Sequence, residues 1–175
     1  MFIKNLLASF AAYILRIIPT HKNRKRFAKI FGPFFDGAIA KTAYGFPMIA
    51  RWHDNMNRIC FEGSYGIVAE FIEELPEDVL FLDIGANQGC TSIIASKVFE
   101  KNKSGIGAVM AYEPSSSIFN LMKKNISLNF CNNIHTFNKA VASVESELFL
   151  NESNPGNSGG SHISDKGNSI LLLVQ

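Results

Sequence analysis

Two acidic residues lie near the ends of predicted strands, at a spacing suited to binding an adenosine-type cofactor. Asp83 lies in the apolar run Val79–Ile84, and a short bend containing Gly85 and Gly89 follows it. Glu113 comes 24 residues after Gly89, at the end of a second apolar run. A carboxylate in that position can accept hydrogen bonds from both ribose hydroxyls of such a cofactor.

The bend between the first run and the next helix has residues that permit unusual backbone angles. Gly85 and Gly89 can adopt positive φ and let a ligand approach the backbone closely. Asn87 tolerates the left-handed region better than most residues. A helix is predicted from about Thr91 to Phe99. The alternative interpretation is that the glycines only turn the chain and that Glu113 is a solvated strand end.

The bend also discriminates between cofactors. A nicotinamide dinucleotide site favours G-x-G-x-x-G, which this bend lacks, and a neighbouring Asp83 carboxylate would repel the pyrophosphate. S-adenosylmethionine has no phosphate and carries a cationic sulfonium and a cationic amino group. An acid at the strand end therefore favours S-adenosylmethionine and disfavours a nicotinamide-dependent oxidoreductase.

The remaining patterns are those of alternating strands and helices. The predicted strands after the amino-terminal region are Phe46–Trp52, Arg58–Phe61, Val79–Ile84, Ala108–Tyr112, Ile134–Phe137, Glu147–Leu150 and Ile170–Val174. Further helices are predicted at 66–75 and after Ser115, and two short ones are punctuated by Pro19 and Gly32–Pro33. Residues 151–168 are predicted to form a loop. Continuous apolar strands are typical of a parallel sheet covered on both faces, so the predicted class is α/β.

Composition narrows the function less than the motifs do. The 175 residues fit one domain, and 47% of them are apolar, which is ample for a core. A formal charge of +2 is too small to argue for a nucleic-acid substrate. Cys60, Cys90 and Cys131 stand singly, without metal-ligand spacing, as expected of reduced thiols in a cytoplasmic protein. No metal site is predicted.

The amino-terminal segment is predicted to form an apolar helix followed by a cluster of basic residues. Phe2–Ile18 is almost wholly apolar, and Asn5, Ser9 and Arg16 fall on one narrow face of a helix. The basic cluster His21–Arg26 comes next. Such a segment can lie on an anionic membrane surface. The alternative is a helix packed on the rest of the domain with a solvated basic turn, and a spanning helix is disfavoured because the run is short.

Four segments together resemble the FkbM family of S-adenosylmethionine-dependent methyltransferases. They are FLDIGANQG, AYEPSSSIFNLMKKNISLN, NIHTFNKAVAS and NPGNSGGSHI, and the resemblance covers about residues 46–163. It implies a Rossmann-like class I methyltransferase fold, with a partial methyltransferase domain in 46–175. The amino-terminal helical segment, residues 1–45, is predicted from the residue pattern and precedes this domain. The resemblance also implies O-methylation of a sugar or secondary-metabolite hydroxyl.

The resemblance assigns roles to individual residues. The methionine half of the cofactor would be cradled by Asp83, Gly85, Ala86, Asn87 and Gly89. Glu113 would hold the ribose, Pro114 would flank the adenine, and Asn138 and Ala140 would lie near the adenine edge. The polar stretch with Asn157, Gly159 and Gly160 matches a family segment on the acceptor side. No general base is assigned, because loop residues such as His162 and Asp165 are more often surface groups.

The family pattern continues beyond the length of this chain, so we expect an incomplete doubly wound sheet. The run Val79–Ile84 would then have an open edge unless Ile170–Val174 or a second chain covers it. A truncated chain could keep the cofactor half-site and lack activity, and the alternative function is a non-catalytic nucleotide-binding or interaction module. The expected partners are a small-molecule or glycan acceptor, no nucleic acid, and a membrane surface contacted through residues 2–29.

Overall fold

The computed structural model describes residues 1–76, 78–101, 107–142, 147–151, 157–164 and 169–174. The chain divides into two compact units, Met1–Gly66 and Ile67–Gln175. Within the described residues, no helix combines the length and apolar content needed to cross a bilayer.

The first unit contains three helices and a two-stranded antiparallel sheet. Its elements are α1 (Phe2–Ile17), α2 (His21–Phe35), β1 (Ile39–Lys41), β2 (Pro47–Ile49) and α3 (Asn55–Glu62). Trp52 is buried in its core, with ring centroids 5.5 Å from Phe35 and 5.7 Å from Phe61. These aromatic contacts join the end of α2 to α3.

The predicted break at Gly32–Pro33 is wrong, because both residues lie inside α2. Pro33 occupies the last turn, where a missing backbone donor does not end the helix. Gly32 is buried, and a Cβ there would lie 3.3 Å from the backbone nitrogen of His53. The break at Pro19 is confirmed, since α1 ends at Ile17 and Ile18 is extended, as expected for a residue before proline.

The predicted strand Arg58–Phe61 is also wrong, because these residues form part of α3. Asp54 caps this helix by accepting a hydrogen bond from the backbone N–H of Met56 at 2.8 Å. Gly63 ends it in the left-handed conformation, with φ of 85°. The predicted strand Phe46–Trp52 is confirmed only at its centre, as β2, and β1 was not predicted.

The second unit contains a three-stranded parallel sheet with helices and a four-stranded mixed sheet. Its elements are α4 (Gly66–Glu73, starting at the boundary), β3 (Leu80–Ile84), α5 (Cys90–Lys101), β4 (Ala108–Tyr112), α6 (Ser116–Leu128), β5 (Ile134–Phe137), β6 (Ala140–Val141), β7 (Glu147–Asn151), a 3-10 turn (Ser158–Gly160), β8 (His162–Ser164) and β9 (Ser169–Val174). The strands at 108–112 and 134–137 have the predicted bounds.

The parallel sheet has the strand order β3-β4-β5. Helix α5 packs against all three strands, and α6 packs against β5. Val109 and Ala111 of β4 are buried, as are Ile93 of α5 and Met122 of α6. The β3-α5-β4-α6-β5 succession is an incomplete Rossmann-like α/β unit, which confirms the predicted fold class.

The expectation that β3 is covered on both faces is wrong for the described residues. Leu80, Leu82 and Ile84 are 57%, 53% and 61% exposed, because α5 and α6 lie on the opposite face of the sheet, where Val109 is buried. Among the described strands, β3 pairs with β4 alone.

The last predicted strand is confirmed as β9, but it does not cover β3. It pairs parallel with β6 and antiparallel with β7. The stretch predicted as a loop, residues 151–168, contains the 3-10 turn and β8, which forms a hairpin with β7. The carboxyl-terminal strands therefore form a sheet of their own, with the order β6-β9-β7-β8.

Removing the cap of α3 should weaken the first unit. We expect Asp54→Ala to lower the free energy of unfolding by roughly 0.5–2 kcal/mol, because the backbone N–H of Met56 loses its acceptor. Urea denaturation followed by Trp52 fluorescence measures this change. Asp54→Asn keeps a capping oxygen and is the matched control, so an equal loss in both variants would contradict the capping role.

Candidate functional site

The bend between β3 and α5 has the predicted left-handed residues. Gly85, Asn87 and Gly89 have φ of 76°, 51° and 83°. The backbone N–H groups of Gly85 and Ala86 both donate to the carbonyl oxygen of Tyr112 at 2.9 Å. The bend is therefore tied to the carboxyl end of β4, which is the edge where open α/β sheets bind ligands.

The two glycines of the bend have different surroundings. A Cβ built at Gly85 has no heavy atom of the described residues within 4 Å, apart from Gly85 and its two chain neighbours, so the backbone there faces open space. A Cβ built at Gly89 would lie 2.9 Å from Cγ of Met122, which is buried on α6. Gly85 thus leaves room for a ligand, whereas Gly89 allows close packing between α5 and α6.

Asp83 is held by the start of α5. Its Oδ2 accepts a hydrogen bond from the Ser92 hydroxyl. Burial raises the pKa of Asp83, and the side-chain and backbone hydrogen bonds from Ser92 lower it in part. A carboxylate that is costly to ionise in this position would be stabilised by a cationic ligand.

Glu113 joins the bend to the turn before α6. Its Oε2 accepts from the backbone N–H of Asn87 and its Oε1 from that of Ser115, both at 2.8 Å. The side chain is buried, with the residue only 6% exposed. Sequence reasoning assigned Glu113 a ligand role and missed this structural one. The carboxylates of Asp83 and Glu113 both contact the short segment between Asn87 and Ser92.

Asn138 supports the turn that carries Glu113. Its Nδ2 donates to the carbonyl oxygens of Glu113 at 2.8 Å and Pro114 at 3.0 Å, and its Oδ1 accepts from the Ser116 hydroxyl at 2.8 Å. Ala140, two residues further on, is buried beside Leu150 in the four-stranded mixed sheet. The structure therefore places Asn138 with the site and packs Ala140 among the carboxyl-terminal strands.

The 3-10 turn reaches the bend through a residue that the sequence did not single out. Ser158 Oγ donates to Asn87 Oδ1 at 3.2 Å. Asn87 Oδ1 also accepts from the backbone N–H of Gln88 at 3.0 Å. Ser158 stands between Asn157 and Gly159 of the predicted acceptor-side stretch. His162 lies in β8, and Asp165 lies outside the described residues.

A second missed contact lies behind the bend. The buried amide of Asn125, on α6, donates to the carbonyl oxygen of Gln88 at 3.0 Å. Gln88 is itself buried. These contacts fix the inner side of the bend, so the left-handed backbone at Asn87 and Gly89 is held from both α6 and Glu113.

No protein-family model and no curated protein matches the chain. Several solved structures are similar to it. Three of them are the SAM dependent methyltransferase from Agrobacterium tumefaciens (14% identity, TM-score 0.35, covering 45% of this chain and 23% of that one), Trm5 of Methanocaldococcus jannaschii in complex with adenosine (13%, 0.42, 74% and 48%), and coclaurine N-methyltransferase bound to N-methylheliamine and SAH (13%, 0.40, 83% and 40%).

The chain spans less than half of each of these structures. TM-scores from 0.35 to 0.42 are too low to carry an argument about function. The class of this protein is therefore defined by its own topology and site, as a Rossmann-like α/β unit with two carboxylates at a glycine bend.

The different surroundings of the two glycines can be tested by stability. We expect Gly85→Ala to destabilise the chain by about 1–2 kcal/mol through left-handed strain alone. Gly89→Ala should cost more, because its Cβ also displaces Met122. Chemical denaturation of both variants measures the difference, and equal losses would contradict the packing role of Gly89.

The raised pKa of Asp83 predicts a pH-dependent stability. The folded chain binds this proton more tightly than the unfolded chain, so the unfolding free energy falls as pH rises from the ordinary value of 3.8 through the raised value. Asp83→Asn removes the ionisable group and with it this pH-dependent decrease in the unfolding free energy. We expect the variant to be more stable than the wild type at pH 7, with an advantage that disappears below pH 3.8.

Denaturation curves measured across this pH range provide the test, with Asp78→Asn as the control at an exposed position. A difference between wild type and Asp83→Asn that does not change with pH would rule out the burial effect.

Proposed function

We propose that this chain is an S-adenosylmethionine-dependent methyltransferase domain. The observation that carries the proposal is the convergence of two carboxylates, Asp83 and Glu113, on a left-handed bend at the ends of adjacent parallel strands. The resemblance of the same residues to the FkbM family supports the same assignment.

The residues at the bend fit the proposed cofactor. The carboxylate of Asp83 would neutralise the positive charge of the methionine half, while the open side of Gly85 and the backbone of Ala86, Asn87 and Gly89 would surround it. This electrostatic match would explain why an acid that is costly to ionise is placed at the end of β3.

Glu113 can serve the ribose in addition to its structural role. Its carboxylate is fixed at the end of β4 by the backbone N–H groups of Asn87 and Ser115, and the family resemblance places the ribose at this position. Asn138 holds the Glu113–Pro114 turn, which would place Pro114 beside the adenine. Ala140, two residues after Asn138 in the chain, would lie near the adenine edge.

The proposed reaction is transfer of a methyl group to a hydroxyl of a sugar or secondary metabolite. When bound, the cofactor supplies an activated methyl group for in-line displacement. The bend and the Glu113–Pro114 turn would fix the position of that group against the acceptor. The 3-10 turn, bound to Asn87 through Ser158, is placed to contribute to the acceptor side. No general base is assigned.

Charge favours an acceptor other than nucleic acid. Residues 67–175 contain 12 acidic and seven basic residues, a balance that disfavours a phosphate backbone. One of the similar solved structures is a complex of aTrm5 with tRNALeu, and tRNA binding is a property of that protein. Cys60, Cys90 and Cys131 are buried and form no disulfide, which supports a cytoplasmic location.

The second candidate function is a non-catalytic nucleotide-binding or interaction module. The exposed apolar side chains of Leu80, Leu82 and Ile84 on β3 favour it, because a second chain that completes the sheet would cover them. Radiolabelled methyl transfer to cell-surface glycan extracts separates the two candidates, since only the methyltransferase predicts incorporation.

Cofactor binding is tested by titration calorimetry with S-adenosylmethionine. We expect Asp83→Asn and Glu113→Gln each to weaken binding by about tenfold or more, because each loses a charged hydrogen-bond partner. Glu100→Gln, which changes an exposed carboxylate paired with Lys97 on α5, should bind as the wild type does.

Hydrogen exchange at the Asn87 amide reports whether Glu113→Gln has kept the bend intact. An absence of saturable heat at millimolar S-adenosylmethionine, or tighter binding of a nicotinamide dinucleotide, would overturn the proposed function.

A further inference from the structure

Helix α1 directs its polar side chains toward the protein. Asn5 Oδ1 accepts the backbone N–H of Ile39 at 3.0 Å, and Ser9 Oγ accepts that of Lys41 at 3.4 Å. The guanidinium of Arg16 donates to two backbone carbonyls, at 2.6 and 3.1 Å. The narrow polar face identified in the sequence is therefore the face that attaches α1 to β1 and α3.

The large apolar side chains of α1 face away from the protein. Those exposed by 45% or more are Phe2, Ile3, Leu6, Leu7, Phe10, Tyr13 and Ile17. The apolar residues buried on the inner side, Ala8, Ala11, Ala12 and Leu15, are mostly small. A surface helix of a water-soluble domain normally has the reverse arrangement. This apolar strip is about 24 Å long at 1.5 Å per residue.

The segment that contains α1 and α2, residues 1–35, is strongly basic. Residues 1–35 contain seven Lys and Arg and no Asp or Glu, whereas residues 36–175 contain ten Lys and Arg and all 15 acids. Four of the bases are exposed on α2, at Lys22, Lys25, Arg26 and Lys29. Ile30 and Phe34, on the following turns of α2, are also exposed.

An apolar strip beside a concentration of bases is suited to an anionic membrane surface. Apolar side chains can enter the headgroup–acyl boundary while Lys and Arg contact lipid phosphates. A second copy of the chain is a poor partner, because a symmetric contact through this face would bring two sets of bases together. Nucleic acid would use the bases and leave the apolar strip in water.

We propose that α1 and α2 bind the surface of an anionic phospholipid bilayer. The apolar strip of α1 is inserted at the headgroup–acyl boundary, and the exposed bases of α2 contact the headgroup phosphates. The helix remains parallel to the surface, since its inner face is held by β1 and α3. This inference does not depend on the proposed function, because it uses the first unit alone.

The deciding experiment is flotation of the full chain with vesicles of phosphatidylcholine, with or without phosphatidylglycerol. We expect partition onto the anionic vesicles and weaker partition onto the neutral ones. Phe10→Asp should reduce it by about tenfold or more. Phe71→Asp is the matched control, because Phe71 on α4 is 59% exposed and Phe10 is 62% exposed.

A second pair of variants tests the charges. Changing Lys22, Lys25, Arg26 and Lys29 together to Gln should reduce partition onto anionic vesicles by at least about tenfold and weaken its dependence on salt. Lys123→Gln with Lys124→Gln, on exposed positions of α6, should leave partition unchanged. Unchanged emission of the buried Trp52 shows that the first unit has stayed folded in each variant.

Several outcomes would overturn this inference. One is no partition of the folded chain onto anionic vesicles, and another is an equal loss in Phe10→Asp and Phe71→Asp. Self-association that is abolished by Phe10→Asp, without vesicle binding, would assign the strip to a protein contact. Binding of tRNA through the α2 bases without vesicle binding would assign the segment to nucleic acid.

Discussion

The carboxylate of Glu113 is the contact on which the site geometry depends. It binds the backbone of Asn87 on one side and of Ser115 on the other. The two strand-to-helix turns of the second unit are thereby fixed relative to each other. A buried carboxylate that accepts two backbone N–H groups is costly to remove, because both donors would lose their partner. Together with the N–H groups of Gly85 and Ala86 that donate to Tyr112, this connection keeps the left-handed residues of the bend aligned with β4.

The two carboxylates of the site make opposite contributions to the stability of the second unit. Glu113 accepts hydrogen bonds from backbone donors and connects two turns of the fold, whereas Asp83 is half-buried with a raised pKa and destabilises the unit when it is charged. A cationic ligand would reverse the second effect. The arrangement thus combines one acid that maintains the shape of the site with another whose charge is useful only when something binds.

The sequence predicted best where apolar runs were long and clearly bounded. The strands at 108–112 and 134–137 were correct to the residue, because each run is flanked by turn residues. Arg58–Phe61 was too short for its pattern to distinguish strand from helix, and the decisive signals were the Asp54 cap and Gly63. The prediction that β3 is covered on both faces was wrong, because the covering of a strand depends on elements distant in the chain.

In the candidate site, too, the features set by local sequence were predicted and the contacts between distant residues were not. Left-handed backbone at Gly85, Asn87 and Gly89 follows from residue type, and it was predicted. The partners of Glu113 are 26 and two residues away, and the first of these depends on how β3 and β4 align. Ser158 reaches Asn87 across 71 residues, a contact that no local pattern in this sequence indicates.

The exposed side of β3 has a consequence for assembly. The strand carries Leu80, Leu82 and Ile84 outward and contains neither lysine nor proline. Lysine and proline are the residues that commonly protect the free edge of a sheet from unwanted pairing. A strand added beside β3 would complete its backbone hydrogen bonds, and an element laid over the sheet would remove these three side chains from water. Association at β3 can therefore combine two sources of stabilisation, which makes this strand the natural starting point for either a specific complex or a precipitate.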